Sequence, residues 1–595
     1  MEKWIEIRKG GNFMEMAKKY GIDPLIARII RNRDIIDEKE ITEYLYGGKE
    51  ALHNPHLLKD VDKAAEIIAE GIAGKKAMRI IGDYDIDGVN ATYILLEGIR
   101  RCGGNVDAAI PDRMKDGYGI NEHLIGQALS DGKELLITCD NGIAAINEIN
   151  FAKEKGMTVV VTDHHEIPYR NTEQGKEFLR SNADAIVNPK QNDCLYPCKG
   201  ICGAVVAWKL VQVLYERMDI PVVEADIFIE NAGFATVGDV MDLTGENRIL
   251  VKLGLKALEH TKNPGMKALI AKNKLSDKSL SAYHIGFVLG PCINASGRLD
   301  TAKRSLELLL ERDEVKASAL AGELVELNES RKYMTQQETQ KALEQIEKEG
   351  REKDKVLVVY LPECHESLAG IIAGRIREAY QRPVFVLTRG EEGVKGSGRS
   401  IEAYSMFDKM TEVAELFTKY GGHPMAAGLS MREEDIDKLR EQLNQKAELS
   451  EEDMAEVVRL DAVLPMSYFT VDTIRQLSVL EPCGKSNTKP VFADRNIKIT
   501  RAGIVGVNRN VLKLHLLDSM GNPVAGVYFG EVEKFLTFLS EKFGSEEVFM
   551  RMVERYTGYV RPEGAAGDML ITLAAHIFIT ALSTTVRTAF LGGLG

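Results

Sequence analysis

Three common features are scarce in this sequence, and each scarcity argues against a class of protein. The eight cysteines show no secreted-scaffold spacing, which favours free thiols in a reducing cytoplasm over a fold held by disulfides. The start, MEKWIEIRKGG, lacks the apolar core of a signal peptide. Positive charge is also in deficit. A net charge of -13 gives no support to general electrostatic binding of nucleic acid, so any such binding requires a local basic groove.

Long apolar runs and nucleotide-binding fingerprints are scarce too. One run, Met569–Val586, just reaches the length that spans a bilayer, but it holds several Thr and Ser. We expect a docked or disordered end there, and no membrane partner. No P-loop or G-x-G-x-x-G motif accompanies the acidic motifs described below, so nucleotide-triphosphate chemistry is not indicated. The length of 595 residues predicts three or four domains.

The most informative stretch is IIGDYDIDG, in which a short apolar run leads into alternating acids. Ala77–Ile81 predicts a buried strand, Asp83, Asp85 and Asp87 follow it, and a helical run comes next. Carboxylates this close repel one another unless a cation lies among them. An EF-hand loop is rejected, because its twelfth position is Ile94 and a strand precedes the loop. A divalent-metal site at the edge of a parallel sheet is favoured over a solvated acidic turn.

Two further predicted strands, Leu135–Cys139 and Met157–Thr162, also end in metal-ligand side chains. Strands and helices alternate from about residue 76 to 240, which predicts a parallel α/β sheet whose strand ends share one edge. A fourth acid follows a helix in FATVGDVMDL; alone, it would favour a helix cap or a solvated loop. The side chains that these segments add to the site are Asp140, Asp163, His164, His165 and Asp239.

This donor set indicates the metal and the chemistry. Oxygen ligands with one or two imidazoles suit Mn²⁺ or Mg²⁺ better than structural zinc. Several carboxylates, one of them able to bridge, indicate two metals about 3.5–4 Å apart that activate water for an in-line phosphoryl displacement. Cys194, Cys198 and Cys202 offer no obvious fourth zinc ligand, and we expect no metal there. The residues alone therefore predict two-metal phosphoester hydrolysis.

Four motifs in this order, GDYDIDG, TCDNGI, TDHH and VGDVMDL, resemble the metal-site motifs of the DHH phosphoesterase superfamily. A wider set, including IPDRMKDGYGI, IVNPK and GPCINASGRLD, is similar to its single-strand-specific exonuclease branch over about residues 50 to 545. The resemblance implies that Asp140 bridges two Mn²⁺ ions, that His165 faces the scissile phosphate, that Asp163 orients the imidazoles, and that Asp87 is no ligand. The implied metal ligands are Asp83, Asp85, Asp140, His164 and Asp239.

Several loops are predicted to contact nucleic acid. PDRMKDGYG combines a base, an aromatic and glycines, which together could contact a phosphate and stack on a base. Two Gly-rich loops, KGSGRS and GGHPMAAG, would let backbone amides approach phosphates, and they resemble the DHH-associated domain of the superfamily. The resemblance also implies that NASGR reaches the substrate phosphate. The predicted nucleic-acid-binding residues are Arg113, Tyr118, Asn294, Arg298, Ser397, Arg399, Gly422 and His423.

The sequence departs from the family pattern at several positions. Many relatives that cleave short substrates have a His where this chain has Arg79, and the exonuclease branch usually has Thr or Ser where it has Asn90. The family's W-H-x-G reads Cys364–Ser367 here, and EPCGKSNTKPVF stands in place of a Pro- and Gly-rich loop.

The predicted fold class is α/β. A parallel-sheet DHH domain is joined by a long helix to a second α/β (DHH-associated) domain, followed by a C-terminal OB-type β-barrel. Local positive charge for the barrel would come from Lys485, Lys489, Arg501, Arg509 and Lys513. The predicted divisions are a helical N-terminal segment (1–70), the DHH catalytic domain (71–300), a connecting helix (301–350), the DHH-associated domain (351–450), the OB domain (451–550) and an atypical tail (551–595).

The resemblance implies a metal-dependent 5′→3′ exonuclease that degrades single-stranded DNA to 5′-mononucleotides in DNA repair and recombination. Two alternatives stay open: a DHH-type phosphodiesterase on short RNA or cyclic dinucleotides, and a non-catalytic DNA-binding replication scaffold. The barrel and connector argue against the first, because a small substrate needs neither, and the intact ligand set disfavours the second. Expected partners are single-stranded DNA, a single-strand-binding protein and a helicase; a cytoplasmic monomer is expected.

Overall fold

The structure is a computed structural model, and it describes residues 2–112, 119–172, 175–390, 393–505, 511–529, 532 and 535. The chain divides into two compact units. The parallel-sheet unit comprises residues 35–332 and 480–489, and the mixed-sheet unit comprises residues 1–34, 333–479 and the chain from 490 onward. Some sequence predictions lie outside the described residues: those for Arg113, Tyr118, Arg509, the apolar run 569–586 and the tail 551–595.

The described residues form α-helices in both units. In chain order they are α1 (Phe13–Tyr20), α2 (Pro24–Asn32), α3 (Glu38–Tyr46), α4 (Val61–Ala73), α5 (Ile86–Arg101), α6 (Glu122–Ser130), α7 (Ile146–Glu154), α8 (Gly203–Arg217), α9 (Ile229–Gly238), α10 (Gly245–Leu258), α11 (Pro264–Lys272), α12 (Gly290–Leu299), α13 (Lys303–Leu310), α14 (Glu314–Lys348), α15 (Ala369–Tyr380), α16 (Met406–Thr411), α17 (Ile436–Gln445) and α18 (Val471–Leu477). A π-helical turn, His284–Leu289, leads directly into α12.

The strands of the described residues are β1 (Glu2–Glu6), β2 (Met78–Ile81), β3 (Val106–Ala109), β4 (Leu135–Cys139), β5 (Thr158–Thr162), β6 (Tyr169–Thr172), β7 (Gly175–Phe178), β8 (Ala185–Val187), β9 (Leu357–Tyr360), β10 (Val384–Arg389), β11 (Val394–Arg399), β12 (Phe417–His423), β13 (Ala426–Met431), β14 (Glu456–Leu460), β15 (Ala462–Val463), β16 (Phe492–Ala493), β17 (Lys498–Val505), β18 (Val511–Leu517) and β19 (Pro523–Phe529). None of the described helices combines the length and the apolar character that crossing a lipid bilayer requires.

In the described part of the parallel-sheet unit, β3, β2, β4, β5 and β8 form a parallel sheet in that order. The strands are short, and β4 is buried along its whole length, as a strand covered on both faces must be. One face packs on α4, α5 and α8, and the other packs on α6 and α7. All strands run the same way, so the carboxyl ends of β2, β4 and β5 meet at one edge.

Two pairs of helices in this unit pack closely against each other at glycine residues. A Cβ on Gly98 of α5 would lie 2.6 Å from Val211 Cγ2 of α8, so the glycine permits close helix packing. A Cβ on Gly233 of α9 would likewise lie 2.9 Å from the Cα of Gly254 on α10. A Cβ on Gly238, the last residue of α9, would lie 2.4 Å from Ile86 Cδ1 at the start of α5, so the end of α9, where Asp239 follows, packs beside the acidic loop.

In the described part of the mixed-sheet unit, the main sheet has the order β12-β13-β11-β10-β9, with only β9 and β10 parallel. Its core lies on both faces, with α15 on one side and α16 and α17 on the other. Two parallel strand pairs, β1 with β14 and β15 with β16, and an antiparallel β17-β18-β19 sheet complete the described strands.

Three sequence predictions differ from the structure for identifiable reasons. The N-terminal segment is not helical throughout: β1 pairs with β14, a partner far away in sequence that no local pattern reveals. The connector is two helices, because the carboxylate of Glu311 accepts from the two following backbone N–H groups and Asp313 then caps α14. Both predicted Gly-rich loops are mostly strand: GGHPMAAG covers the end of β12 and the start of β13, and KGSGRS overlaps β11, in which a Cβ on Gly398 would overlap the sulfur of Met406. Glycine there permits close packing.

Candidate metal centre

The acidic loop joins β2 to α5, and its own carboxylates help to shape it. Asp85 is the N-cap of α5: its Oδ1 accepts from the backbone N–H groups of Asp87 at 2.9 Å and Gly88 at 3.0 Å. A Cβ on Gly88 would lie 2.6 Å from the Cβ of Asp83, so only glycine allows the helix start to approach that acid. Asp83 and Asp87 are both buried.

Helix α12 braces this loop from outside the sheet. The side-chain oxygen of Asn294 accepts from the backbone N–H of Ile86 at 2.8 Å, at the first residue of α5. A Cβ on Gly297 would overlap the carbonyl oxygen of Tyr84. Asn294 was predicted to contact nucleic acid, and the structure gives its side-chain oxygen a role in positioning the loop. Arg298, in the same helix, is half-buried.

The end of β4 turns sharply and is tied to its neighbours. Asp140 has a left-handed backbone conformation, φ +60°, which a short polar residue tolerates better than most. Asn141 donates from Nδ2 to the carbonyls of Ile81 at 3.1 Å and Cys139 at 2.9 Å, and its Oδ1 accepts from Ile120 N–H at 3.1 Å. The sequence analysis missed this role of Asn141; the Asn-Gly turn signal was the available clue.

Asp163 organises the two histidines at the end of β5. Its Oδ1 accepts from the backbone N–H groups of His164 at 2.7 Å and His165 at 3.0 Å, and it lies 2.8 Å from His165 Nδ1. Its Oδ2 accepts from Ile143 N–H at 2.8 Å. Burial alone would raise the pKa of Asp163, but the hydrogen bond from His165 and the charges of both histidines hold it below its usual range.

These loops bring the predicted ligands together around the buried His164. Its Nε2 lies 3.0 Å from Asp140 Oδ1, 3.5 Å from Asp87 Oδ2 and 3.7 Å from Asp239 Oδ2. His165 Nδ1 lies 3.9 Å from Asp140 Oδ1. Three groups among the described residues place one ligand atom per residue within 4.8 Å of each other: Asp83, Asp85 and Asp140; Asp140, His164 and His165; Asp87, His164 and Asp239. Asp140 belongs to two of them.

The electrostatics of this cluster fit a site for divalent cations. Burial, followed by the charges of the neighbouring carboxylates, raises the pKa of Asp140 well above its usual range and that of Asp239 to about 8. Burial also lowers the pKa of His164, and among the described residues neither of its ring nitrogens has a hydrogen-bond partner. Packed carboxylates beside a buried imidazole of this kind are the donors that Mn²⁺ and Mg²⁺ take.

His165 differs from its neighbour in charge. Burial lowers the pKa of His165, but the hydrogen bond to Asp163 and the charges of Asp163, Asp239 and Asp87 outweigh it and raise the pKa to about 9. The ring is therefore protonated at neutral pH, and it is partly exposed, with 45% of the side chain accessible. Such a ring can hold a phosphate oxygen or deliver a proton.

Asp87 lies in this cluster, although the sequence analysis assigned it no ligand role. Its two oxygens accept from the backbone N–H groups of Gly203 at 2.6 Å and Ala204 at 2.8 Å, at the start of α8. A carboxylate at a helix N-terminus is stabilised by the helix dipole. Asp87 thus anchors α8 beneath the site.

Arg79, which replaces a His of many short-substrate relatives, faces other partners. Its guanidinium pairs with both oxygens of Asp107 at 2.8 Å and with Asp131 at 2.9 Å. An arginine cannot ligate a metal, and this one stabilises the junction of β2 and β3 instead.

The predicted residues of the mixed-sheet unit come together at one end of its sheet. Arg399 of β11 and His423 of β12 both pair in register with Ala426, from opposite sides of β13. Gly422 has φ +149°, which favours glycine, and Ser397 lies two residues before Arg399 on β11. Burial and the charge of Arg377 lower the pKa of Arg399, a sign that its charge lacks full compensation.

Comparison with known proteins agrees with this arrangement. Three family descriptions match successive parts of the chain: "DHH family, N-terminal domain" over residues 77–230, "DHHA1 domain" over 353–449 and "RecJ OB domain" over 460–562. The fold and the site therefore define a phosphoesterase of the DHH class. The predicted α/β fold class with its C-terminal OB domain is confirmed.

Curated relatives show to which family of DHH phosphoesterases the chain belongs. The single-stranded-DNA-specific exonuclease RecJ of Escherichia coli (strain K12) is 33% identical over 530 residues, covering 85% of this chain and 88% of that protein. RecJ of Bacillus subtilis (strain 168) is 34% identical over 527 residues, covering 87% of this chain and 65% of that protein. The chain belongs to the RecJ family of single-stranded-DNA-specific exonucleases.

Solved structures agree. The crystal structure of RecJ in complex with Mn²⁺ from Thermus thermophilus superposes with a TM-score of 0.73 and 28% identity, covering 89% of this chain and 77% of that chain. A crystal structure of exonuclease RecJ bound to manganese gives a TM-score of 0.57 and 32% identity, covering 67% of this chain and 98% of that one. The resemblance inferred from the sequence motifs is confirmed.

Proposed function

We propose that this protein is a metal-dependent 5′→3′ exonuclease that hydrolyses single-stranded DNA to 5′-mononucleotides, with DNA repair and recombination as its context. The observation that carries the proposal is the convergence of carboxylates and imidazole from three strand ends and one helix end, with Asp140 shared between two candidate ligand groups. A single-strand-specific substrate follows from membership of the RecJ family.

The proposed ligand roles rest on the family resemblance, and the clustering of these side chains supports them. Asp83, Asp85 and Asp140 would hold one divalent ion, Asp140, His164 and Asp239 would hold a second, and Asp140 would bridge them. When bound, two Mn²⁺ or Mg²⁺ ions supply an activated water and neutralise charge on the phosphate. The donor set fits these ions, because burial and the neighbouring carboxylates raise the pKa of Asp140, and burial lowers the pKa of the His164 imidazole.

His165 would act directly on the scissile phosphate, and Asp163 would act through His165. The protonated ring of His165 stabilises negative charge on a phosphate oxygen or donates a proton to the leaving oxygen. Asp163 fixes the ring through its hydrogen bond to Nδ1, which turns Nε2 away from Asp163. Nε2 would then be the atom that gives its proton to the substrate oxygen.

Residues beyond the metal centre would bind the strand. Ser397, Arg399, Gly422 and His423 would contact phosphates at one end of the mixed sheet, because the register there places the half-buried Arg399 and the exposed His423 on either side of Ala426. Arg298 would reach the phosphate from α12. Asn294, Arg113 and Tyr118 complete the proposed set. We also propose the predicted DHH (71–300), DHH-associated (351–450) and OB (451–550) divisions with the tail (551–595), a monomeric state, a cytoplasmic location, and a single-strand-binding protein and a helicase as partners.

The test uses a long single-stranded oligonucleotide, labelled at its 5′ end or its 3′ end, with Mn²⁺. The wild-type chain is compared with Asp140→Ala. A 5′ label should appear at once as mononucleotide, 3′-labelled strands should shorten progressively, and Asp140→Ala should be inert. Duplex DNA of the same sequence should resist.

Other outcomes would replace the proposal. Rapid cleavage of dinucleotides or cyclic dinucleotides, with long strands spared, would favour a short-substrate phosphodiesterase. A wild-type chain that binds the strand but leaves it intact with Mn²⁺, Mg²⁺ and Co²⁺ would favour a binding scaffold. Early release of the 3′ label would reverse the polarity.

A further inference from the structure

A ten-residue segment, Leu480–Lys489, belongs to the parallel-sheet unit although the sequence on both sides of it belongs to the other unit. It lies against the stretch between α9 and α10, which begins with Asp239. We infer that this segment is a positioning element for Asp239 and thereby for the metal centre. The inference rests on the proposed function in one respect, which is that Asp239 ligates a metal.

Asn487 closes the segment into a turn. This side chain is completely buried, and its Nδ2 donates to the carbonyls of Leu480 at 2.9 Å and Pro482 at 2.8 Å. Across the turn, Gly484 N–H donates to the carbonyl of Asn487 at 2.9 Å, and Asn487 N–H donates back at 3.2 Å. All of these bonds involve Asn487, so the conformation of the turn depends on this one residue.

Two side chains of the parallel-sheet unit grip the base of this turn. Arg248 on α10, which is 1% exposed, donates from Nη1 to the same carbonyls of Leu480 at 2.9 Å and Pro482 at 3.2 Å. The hydroxyl of Tyr44 donates to Asn487 Oδ1 at 2.9 Å, and its ring lies 3.9 Å from the guanidinium of Arg248. A buried charge held by carbonyls leaves the segment little freedom.

The tip of the turn then holds the stretch after α9. Leu243 N–H donates to the carbonyl of Lys485 at 2.9 Å, and the Ser486 hydroxyl donates to Asp242 Oδ1 at 2.7 Å. Lys485 Nζ lies 3.5 Å from the same oxygen of Asp242. A Cβ on Gly484 would lie 2.6 Å from Leu243 Cδ1, so the turn and the stretch are in direct contact.

The held stretch is short, and Asp239 is its first residue. On one side, its backbone is fixed by the last turn of α9, where Asp239 N–H donates to Ala235 at 2.8 Å and Met241 N–H to Thr236 at 3.1 Å. On the other side, the turn tip fixes the stretch through its contacts with Asp242 and Leu243. Displacement of the tip therefore moves the backbone only three residues from the carboxylate. Groups that orient a ligand from behind strongly affect metal affinity.

The full chain is titrated with MnCl₂, and isothermal titration calorimetry measures its affinity for Mn²⁺. Gly484→Val places bulk against the Leu243 side chain, and we expect Mn²⁺ binding to weaken about tenfold. Gly126→Val is the matched control: it makes the same substitution on α6, where a Cβ would meet no atom within 4 Å. Its Mn²⁺ affinity should equal that of the wild-type chain.

Activity provides a second readout that simple loss of structure would not reproduce. For Gly484→Val, exonuclease activity should be lost at low Mn²⁺ and regained at saturating Mn²⁺, with the KM for DNA unchanged. Asn487→Ala removes the side chain that closes the turn and should weaken Mn²⁺ binding at least as much. If Asn487→Ala does not fold, Gly484→Val decides the question, because the contact it changes is with the far end of a leucine side chain.

The outcomes separate this inference from the proposed function. A wild-type chain that binds no Mn²⁺ would overturn both. A wild-type chain that binds Mn²⁺, beside a folded Gly484→Val chain that binds it equally well, would overturn the positioning role alone. Weakened binding in Gly126→Val of the same size as in Gly484→Val would also overturn it, since the effect would then not follow the turn geometry.

Discussion

His165 Nδ1 lies 2.8 Å from Asp163 Oδ1, and the same carboxylate oxygen also accepts from the backbone N–H of His165 at 3.0 Å. One oxygen therefore fixes both the main chain and the ring of this residue. The ring has no freedom to rotate about its Nδ1 contact without breaking a charge-assisted hydrogen bond, which is among the stronger contacts in a protein.

Asp163→Asn should lower kcat by about 10- to 100-fold at saturating DNA and Mn²⁺. The amide removes the negative charge that raises the pKa of His165, so less of the ring is protonated as pH rises. The defect should therefore be larger at pH 8.5 than at pH 6.5. Asp277→Asn, an exposed acid far in sequence from the site, should behave as the wild-type chain. An equal defect at both pH values would contradict the role given to His165.

Gly297→Ala should weaken Mn²⁺ binding by about tenfold. The new Cβ overlaps the carbonyl oxygen of Tyr84, so the loop that carries Asp83 and Asp85 has to move. Gly286→Ala, in the π-helical turn before α12, is the matched control, because its nearest atom would be 3.8 Å away. Calorimetric titration with Mn²⁺ measures both, and equal affinities would show that α12 does not brace the loop.

Asp87→Asn should lower the free energy of unfolding by about 1–3 kcal/mol in saturating Mn²⁺. The carboxylate accepts two N–H groups at the start of α8, whereas an amide can accept only one of them. Trp208 is buried in α8, so urea unfolding can be followed by its fluorescence in a Trp4→Phe background, which leaves one tryptophan of the two. Glu66→Gln, which removes an exposed pair with Arg217, should cost less than about 1 kcal/mol.

Glu230 should make stability depend on pH. Burial raises the pKa of this carboxyl from 4.5 to about 7, although the Thr261 hydroxyl donates to it at 2.9 Å. Between these two values the folded chain holds a proton that the unfolded chain has released. The contribution of Glu230 to the free energy of unfolding therefore falls as pH rises from 4.5 to 7, by about 3 kcal/mol in total.

Glu230→Gln should remove that dependence. The variant should be more stable than the wild-type chain at pH 8 and nearly equal to it at pH 4, measured by urea unfolding at each pH. Glu224→Gln, an exposed partner of Arg101 on the neighbouring segment, should show no such gain at pH 8. A Glu230→Gln chain that is less stable at both pH values would show that the folded chain does not keep the extra proton on Glu230.

Local patterns were enough to predict the ligand-bearing loops. Strand β4 was predicted with its observed bounds, Leu135–Cys139, because a short apolar run that ends in polar residues has few other interpretations. Once parallel strands were inferred, the shared edge of the sheet predicted that Asp140 and His164 lie near each other, and the structure places them 3.0 Å apart. The residue roles that the family resemblance implied stay predictions, and the ligand geometry is compatible with them.

Contacts between distant parts of the sequence could not be predicted. Asn294 reaches Ile86 across 208 positions, and Asp87 reaches Gly203 across 116. In each case the side chain is an ordinary polar residue whose partner is a backbone group, and backbone groups carry no sequence signal. The glycines of β11 misled for a related reason: glycine permits close packing in a strand as well as the turns that it more often forms.

The discontinuity of the parallel-sheet unit sets a limit on its modularity. A chain that ended after α14 would lose the carbonyls of Leu480 and Pro482, which are hydrogen-bond acceptors of Arg248, a residue that is 1% exposed in the full chain. An uncompensated buried charge of that kind destabilises a fold by several kcal/mol. The unit that holds the candidate metal centre is thus compact in space, but its sequence is interrupted by residues 333–479 of the other unit. Recombination of domains at the end of α14 would be penalised by that one guanidinium.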